Sequence, residues 1–184
     1  MVPDGFLSLG VERHKNGGSR PSYPVWEENG VVPILALEVV SWTPGEEYNA
    51  KAEQYAALGV LYYVVYNPQF WQRDRHLPFE VYRLRNGRYE LQIGEPYWMP
   101  EIGLGIGRYV EPNSPIQREL LGWFDEKGQR YQRPEELLLS ARQEAERERE
   151  RAEQIKQGAI AQLLNLGLTR EQVAETLGLS PDEL

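Results

Sequence analysis

The chain has no cysteine, which excludes disulfide bonds, thiolate metal sites and thiol catalysis. It also lacks any apolar run near the roughly 18 residues that a membrane-spanning helix needs. Its first ten residues show no basic stretch ahead of an apolar core, the pattern that marks a secretory signal. We therefore expect a cytoplasmic protein without a membrane partner.

Basic residues are outnumbered, with 20 lysines and arginines against 28 acidic residues and a formal net charge of −8. Phosphate contacts dominate non-specific binding to nucleic acids, so a protein that coats DNA or RNA is disfavoured, although a local basic patch is not excluded. The length of 184 residues and the 41% hydrophobic content are typical of one compact soluble domain with a tail.

A strand–helix–strand pattern occupies the first half of the chain. Residues 31–40 form a nearly continuous aliphatic run, as expected of a strand covered on both faces. Residues 46–58 have the pattern of a helix that Gly59 ends, and residues 61–66 form a second strand. This order predicts a parallel strand pair with a right-handed crossover.

Two hairpins are expected after this unit. Residues 79–84 and 89–93 flank an Asn-Gly pair at Asn86, which accepts the backbone angles of a tight turn. Residues 121–124 and 129–132 flank a second turn-rich segment. The predicted fold class is therefore α/β, with a mixed-sheet core over residues 1–132 and a C-terminal helical extension.

The extension divides into two predicted parts. Residues 133–157 contain Pro134 at a first helical turn and then mostly charge, which is typical of a solvated, salt-bridged helix. A short coiled coil that makes a homo-oligomer is the alternative. Residues 158–184 form a small helical tail with a capping box at Thr169. Its two short helices resemble a helix-turn-helix, but Arg170 is the one base on the second helix, so a docking module is favoured over a DNA reader.

Three residues of this core could carry chemistry. Glu38 is a single carboxylate near the carboxyl end of the apolar strand, where open α/β sheets place ligand sites. It either enters such a site or points into water or towards an arginine. Lys51 lies one turn into the following helix, which could return it to Glu38, or it is an ordinary surface lysine. Asp4 precedes the first predicted strand. It is either a turn residue or acts together with Glu38 and Lys51.

Several segments together resemble a known nuclease family. They are VPDGFLSLGV (2–11), YPVWEE (23–28), PILALEVVS (33–41), KAEQYAALGVLYYVVYNP (51–68), WMPEIGL (98–104) and WFD (123–125). Together they resemble the restriction endonucleases of the Uma type, a cyanobacterial branch of the PD-(D/E)XK nuclease superfamily. The resemblance covers about residues 1–135 and implies a restriction-endonuclease-like core.

The resemblance assigns the site residues. Asp4 matches the first metal-binding carboxylate and Glu38 the second, and the carbonyl of Val39 is implied as a further ligand. The superfamily lysine normally stands two residues after the glutamate, where this chain has Val40, and Lys51 matches the lysine that this branch carries on the next helix. The implied function is hydrolysis of DNA phosphodiester bonds with Mg²⁺, or Mn²⁺ as an alternative.

A cluster of arginines is the candidate phosphate-contacting surface, with a solvated face as the alternative. Its members are Arg73, Arg75, Arg83, Arg85 and Arg88. Compared with its relatives the chain is also expected to lack an N-terminal helix and strand. The competing hypothesis is therefore a catalytically inactive nuclease fold that acts as a DNA-associated or oligomerising module.

Overall fold

The computed structural model describes residues 2–12, 14, 18, 22–43, 45–111 and 116–180. They fall into two compact units, Met1–Tyr131 and Gln132–Leu184. Among these residues no helix is both long enough and apolar enough to cross a membrane.

The first unit contains two sheets. The strands of the five-stranded sheet are β1 (Gly5–Leu7), β2 (Leu35–Val39), β3 (Tyr62–Tyr66), β4 (Phe79–Arg85) and β5 (Arg88–Leu91), in that spatial order. Those of the antiparallel three-stranded sheet are β6 (Tyr97–Met99), β7 (Leu104–Val110) and β8 (Glu119–Phe124). The helices are α1 (Ala50–Leu58) and α2 (Trp71–Asp74), with a 3-10 helix at Val25–Glu28.

The five-stranded sheet is mixed, which confirms the predicted fold class. β2 and β3 pair in parallel across the α1 crossover, and the other neighbours pair antiparallel. The first predicted hairpin is confirmed as β4 and β5, with Asn86 and Gly87 both at positive φ. The second is reduced to one bridge between Phe124 and Arg130, and β8 pairs along its length with β7.

The two faces of this sheet have separate cores. On one face, Leu35, Tyr62 and Val64 pack with Met99 and Ile106 of the second sheet. On the other, the buried residues are Ala36, Val40, Tyr55, Val60, Tyr63 and Val65. Tyr55 belongs to α1, so this helix covers the face towards which the even-numbered side chains of β2, including Glu38, are directed.

Helix α1 starts later than the sequence predicts. It begins at Ala50 because Glu46 has a left-handed φ of 63° and residues 47–49 form turns. It ends as predicted at Gly59, which has a φ of 85° and donates its N–H to the carbonyls of Tyr55 and Ala56.

The second unit consists of α3 (Pro134–Asn165) and α4 (Arg170–Leu177), which pack against each other. α3 differs from the prediction, since it runs through Gln157 and Gly158 without a break. Within this unit Ile160, Val173 and Ala174 are buried, and the capping box at Thr169 is present. Residues 181–184 of the predicted tail lie outside the described residues.

Candidate active site

Asp4 and Glu38 are brought together by the pairing of β1 with β2. Gly5 lies opposite Leu37 in an antiparallel register, which places Asp4 beside Glu38. The carboxylate Oδ2 of Asp4 accepts a hydrogen bond of 2.7 Å from the backbone N–H of Val39. This bond fixes Asp4 at the carboxyl end of β2, one residue from Glu38.

Glu38 is a buried carboxylate, and residues of helix α1 donate hydrogen bonds to both of its oxygens. It is 1% exposed. Its Oε2 accepts a hydrogen bond of 2.9 Å from Lys51 Nζ, and its Oε1 accepts one of 2.6 Å from the Tyr55 hydroxyl. Burial of a charge without such partners would be costly, so the position of α1 is what allows a glutamate on this strand. The glutamate therefore neither points into water nor pairs with an arginine.

Lys51 contacts a second buried carboxylate. Its Nζ lies 3.4 Å from Oε1 of Glu47, one turn earlier, and Glu47 is 5% exposed. Burial acts to lower the pKa of Lys51, but the hydrogen bond and the charge of Glu38 outweigh it, with a further contribution from Glu47. The pKa of Lys51 is therefore raised, and the side chain is an ammonium at neutral pH.

The hydroxyl of Tyr55 stays protonated as well. Burial raises its pKa, and the hydrogen bond to Glu38 raises it further. Tyr55 and Glu47 are the two members of the cluster that the sequence did not single out. A signal for Tyr55 was its spacing from Lys51, because residues four apart share one face of a helix. Glu47 lies in the turn before α1, so helical spacing does not identify it.

A second polar cluster supports the turn that carries Glu47. Asn67, fully buried at the end of β3, donates to the Tyr48 hydroxyl and to Asp74. The ring of His76 stacks on Tyr48 with 3.5 Å between the centroids, and His76 also contacts buried Glu80. These contacts hold Tyr48, and with it the start of α1, against the end of the sheet.

Two cavities border Tyr48, in the turn that carries Glu47. A cleft of about 320 Å³ opens next to Glu47 and is lined by Glu46, Glu47, Tyr48, Asn49, Asp74 and His76. A larger groove of about 640 Å³ runs between α1 and the β4–β5 hairpin. Asp4, Glu38 and Lys51 do not line that larger groove, so we place the candidate site at the end of β2.

The predicted arginine cluster is divided. Arg73 donates to Asp74 and to the carbonyl of Trp42, in the loop that follows β2. Arg83 pairs with Glu101 and lies over the Tyr62 ring, on the opposite face of the sheet from Glu38. Arg85 contacts Glu90 at 3.5 Å.

Arg75 and Arg88 complete the cluster and are both exposed. Arg75 directly precedes His76, whose ring stacks on Tyr48 beside Glu47. Of these two arginines, Arg75 therefore lies next to a residue that contacts the turn carrying Glu47.

The donor set fits a divalent cation held partly by water. Among the described residues, no three histidine, cysteine, aspartate or glutamate side chains form a group that could hold a metal ion alone. Mg²⁺, however, is commonly bound by one or two carboxylates and retains several waters. In such a site Asp4 and Glu38 would supply two carboxylates and Val39 a carbonyl. With Glu47 included, three carboxylates against one ammonium leave two formal negative charges.

One comparison with known proteins gave a match. The family model Uma2, described as "putative restriction endonuclease", matches residues 1–111. This segment is more than half of the chain and contains Asp4, Glu38, Lys51 and Tyr55. The searches of curated proteins and of solved structures found no match.

Proposed function

The chain belongs to the Uma2 family, and from this premise we propose that it is a metal-dependent endonuclease that hydrolyses phosphodiester bonds of DNA. The observation that carries the proposal is the cluster at the end of β2. An exposed aspartate is tied to the backbone next to a buried glutamate, and that glutamate is paired with a lysine. The family description supports DNA as the substrate.

Asp4, Glu38 and the carbonyl of Val39 would hold the cation, Mg²⁺ or Mn²⁺. When bound, it supplies positive charge at the phosphate and favours ionisation of the attacking water. The hydrogen bond from the Val39 N–H holds Asp4 in place beforehand, so little ordering is needed when the cation binds.

Lys51 would place its ammonium beside the attacking water. Its stem rises from α1, and the side chain is 28% exposed, so the ammonium reaches both Glu38 and the solvent. A fixed positive charge there stabilises the negative charge that develops during attack on the phosphate. The raised pKa of Lys51 keeps this charge present throughout the neutral range.

The arginines would contact the DNA backbone unequally. Arg73 and Arg75 flank Asp74, near the loop that follows β2. We therefore assign to these two arginines the contacts with the phosphates next to the scissile bond. Arg83 and Arg85 lie on the face of the sheet opposite Glu38, and Arg88 lies at the hairpin. These three would contribute less.

A plasmid cleavage assay tests this function. The wild type, Glu38→Gln and Lys51→Met are compared with Mg²⁺, with Mn²⁺ and with a chelator, and Glu90→Gln on the exposed hairpin serves as the control. We expect cleavage to require the cation and to fall by about 10²-fold or more in both site variants, with the control unchanged.

Cleavage that survives the chelator, or full activity of a folded Glu38→Gln variant, would contradict the proposal. A folded wild type that binds DNA without cleaving it under any of these conditions would instead support the inactive nuclease fold, acting as a DNA-associated module.

A further inference from the structure

Glu47 is held in its position from several directions. Its Oε2 accepts a hydrogen bond of 2.9 Å from the N–H of Gly45, and its backbone carbonyl accepts one of 2.6 Å from the buried Tyr63 hydroxyl. A Cβ atom at Gly45 would lie 2.5 Å from Oε1 of Glu47. The turn before α1 is therefore shaped around this carboxylate, and it directs Oε1 towards Lys51.

This arrangement gives one ammonium two buried carboxylate partners. Lys51 Nζ is 2.9 Å from Glu38 and 3.4 Å from Glu47. The shorter contact is with the carboxylate that the proposed function assigns to the cation. A divalent cation on Glu38 competes with the ammonium for that carboxylate and also repels it. Without another partner, Lys51 would oppose binding of the cation.

We propose that Glu47 is a positioning residue that retains the Lys51 ammonium when Glu38 engages a divalent cation. The inference rests on the proposed function and adds a role for a carboxylate that contacts neither DNA nor the cation. Because both carboxylates contact the same ammonium, a small rotation of the lysine side chain would move it from Glu38 towards Glu47. Lys51 then stays in the site instead of turning into solvent.

A double-mutant cycle on Mn²⁺ affinity tests this role without using nuclease activity. The dissociation constant of Mn²⁺ is measured by electron paramagnetic resonance for the wild type, Glu47→Gln, Lys51→Met and the double variant. Glutamine keeps the shape and the bond from Gly45 but loses the charge. We expect Glu47→Gln to weaken Mn²⁺ binding about tenfold in the wild-type background and less than about twofold in the Lys51→Met background.

Equal weakening in both backgrounds would overturn the inference, because Glu47 would then act on the cation directly through its charge. No Mn²⁺ binding by the folded wild type would contradict the proposed function itself and the inference with it. The two failures are therefore distinguishable.

Two further variants separate positioning from folding. Glu47→Asp keeps the charge, and we expect it to recover part of the affinity that Glu47→Gln loses. Gly45→Ala leaves Glu47 intact but displaces its carboxylate, and we expect it to weaken Mn²⁺ binding in the same Lys51-dependent way. If circular dichroism shows that Glu47→Gln fails to fold, the same cycle with Gly45→Ala in place of Glu47→Gln tests the inference. Wild-type Mn²⁺ affinity of the Gly45→Ala variant would then overturn it.

Discussion

At the scale of single residues, the environment of Glu38 depends on one helix. Lys51 and Tyr55 are four residues apart on α1, and each donates to a different oxygen of the same carboxylate. A hydrogen bond to a charged acceptor contributes more than one to a neutral acceptor. The tyrosine is therefore as much a part of the site as the lysine.

Removal of the Tyr55 hydroxyl tests this account. We expect Tyr55→Phe to lower the free energy of unfolding by about 2 kcal/mol, because it leaves one oxygen of a buried carboxylate without its donor. Tyr89→Phe is the matched control, since that hydroxyl donates to a neutral carbonyl, that of Val60, at 2.8 Å. Its cost should be about 1 kcal/mol. Urea unfolding gives both values, and an equal or smaller cost for Tyr55→Phe would contradict the account.

The sequence predicted part of this cluster of contacting residues. Glu38 was recognisable as the one charge in an apolar strand, and Lys51 as the lysine of the next helix. Tyr55 and Glu47 were not singled out. Periodicity shows which residues share a helix face, but it does not show towards which strand the face turns, because that depends on how the helix packs on the sheet.

At the scale of elements, close packing in the second sheet depends on paired glycines. Gly107 of β7 lies opposite Gly122 of β8. A Cβ at Gly107 would lie 2.9 Å from Cα of Pro96, and one at Gly122 would lie 3.0 Å from the Tyr109 ring. The sequence alone does not show this role, because the close contacts of these glycines appear only when the neighbouring strands are in place.

Alanine substitutions at two glycines test this packing. We expect Gly107→Ala to destabilise the protein by about 1–3 kcal/mol, because backbone atoms must shift to admit the methyl group. Gly158→Ala, in the interior of α3 with nothing within 4 Å of the added carbon, should be neutral or stabilising by up to about 1 kcal/mol. Thermal unfolding of both variants measures this, and a Gly107→Ala variant as stable as the wild type would contradict the close contact with Pro96.

An ion pair connects β7 to the loop before β6. Arg108 donates from Nε and Nη2 to the two oxygens of Glu95, at 2.8 and 2.9 Å, and its backbone N–H donates to Glu95 as well. Burial acts to raise the pKa of Glu95, but these hydrogen bonds outweigh it, so the pKa is lowered from its ordinary value of 4.5. The stabilising effect is therefore present above about pH 4.5 and is lost as the pH falls through the lower folded value.

Arg108→Met should accordingly reduce the free energy of unfolding by about 1 kcal/mol at pH 7. The difference from the wild type should shrink as the pH falls below 4.5. The exposed pair of Arg85 and Glu90, with one contact at 3.5 Å, is the control, and Arg85→Met should change stability by less than about 0.5 kcal/mol. Urea unfolding between pH 3 and pH 7 measures both. A difference for Arg108→Met that is independent of pH would contradict the assignment.

At the scale of the whole molecule, the net charge of −8 requires DNA binding to use a local basic surface. The sequence grouped five arginines by their proximity along the chain. The fold separates them, because Arg83 and Arg85 lie on the face of β4 opposite Glu38, whereas Arg73 and Arg75 lie at α2. Proximity along the chain therefore does not show which of these arginines share one surface of the folded protein.

Salt-dependent DNA binding tests which arginines contact phosphate. We expect Arg75→Gln to weaken binding and to reduce the slope of log affinity against log salt by about one. Arg83→Gln should leave that slope unchanged, because Arg83 is already paired with Glu101. Fluorescence anisotropy with a labelled duplex, in the absence of a divalent cation, measures both. An equal effect of Arg83→Gln would place the phosphate contacts on the opposite face.

The most direct test of the central claim is the rate of DNA cleavage as a function of Mg²⁺ concentration, for the wild type and Asp4→Asn. Asp4 is exposed and asparagine can still accept the Val39 N–H, so this variant changes the charge at the site while leaving the fold intact. The account predicts saturable, Mg²⁺-dependent cleavage by the wild type, and a half-saturating concentration about tenfold or more higher in Asp4→Asn. Identical Mg²⁺ dependence of the two proteins, or no cleavage by the wild type at any concentration, would contradict it.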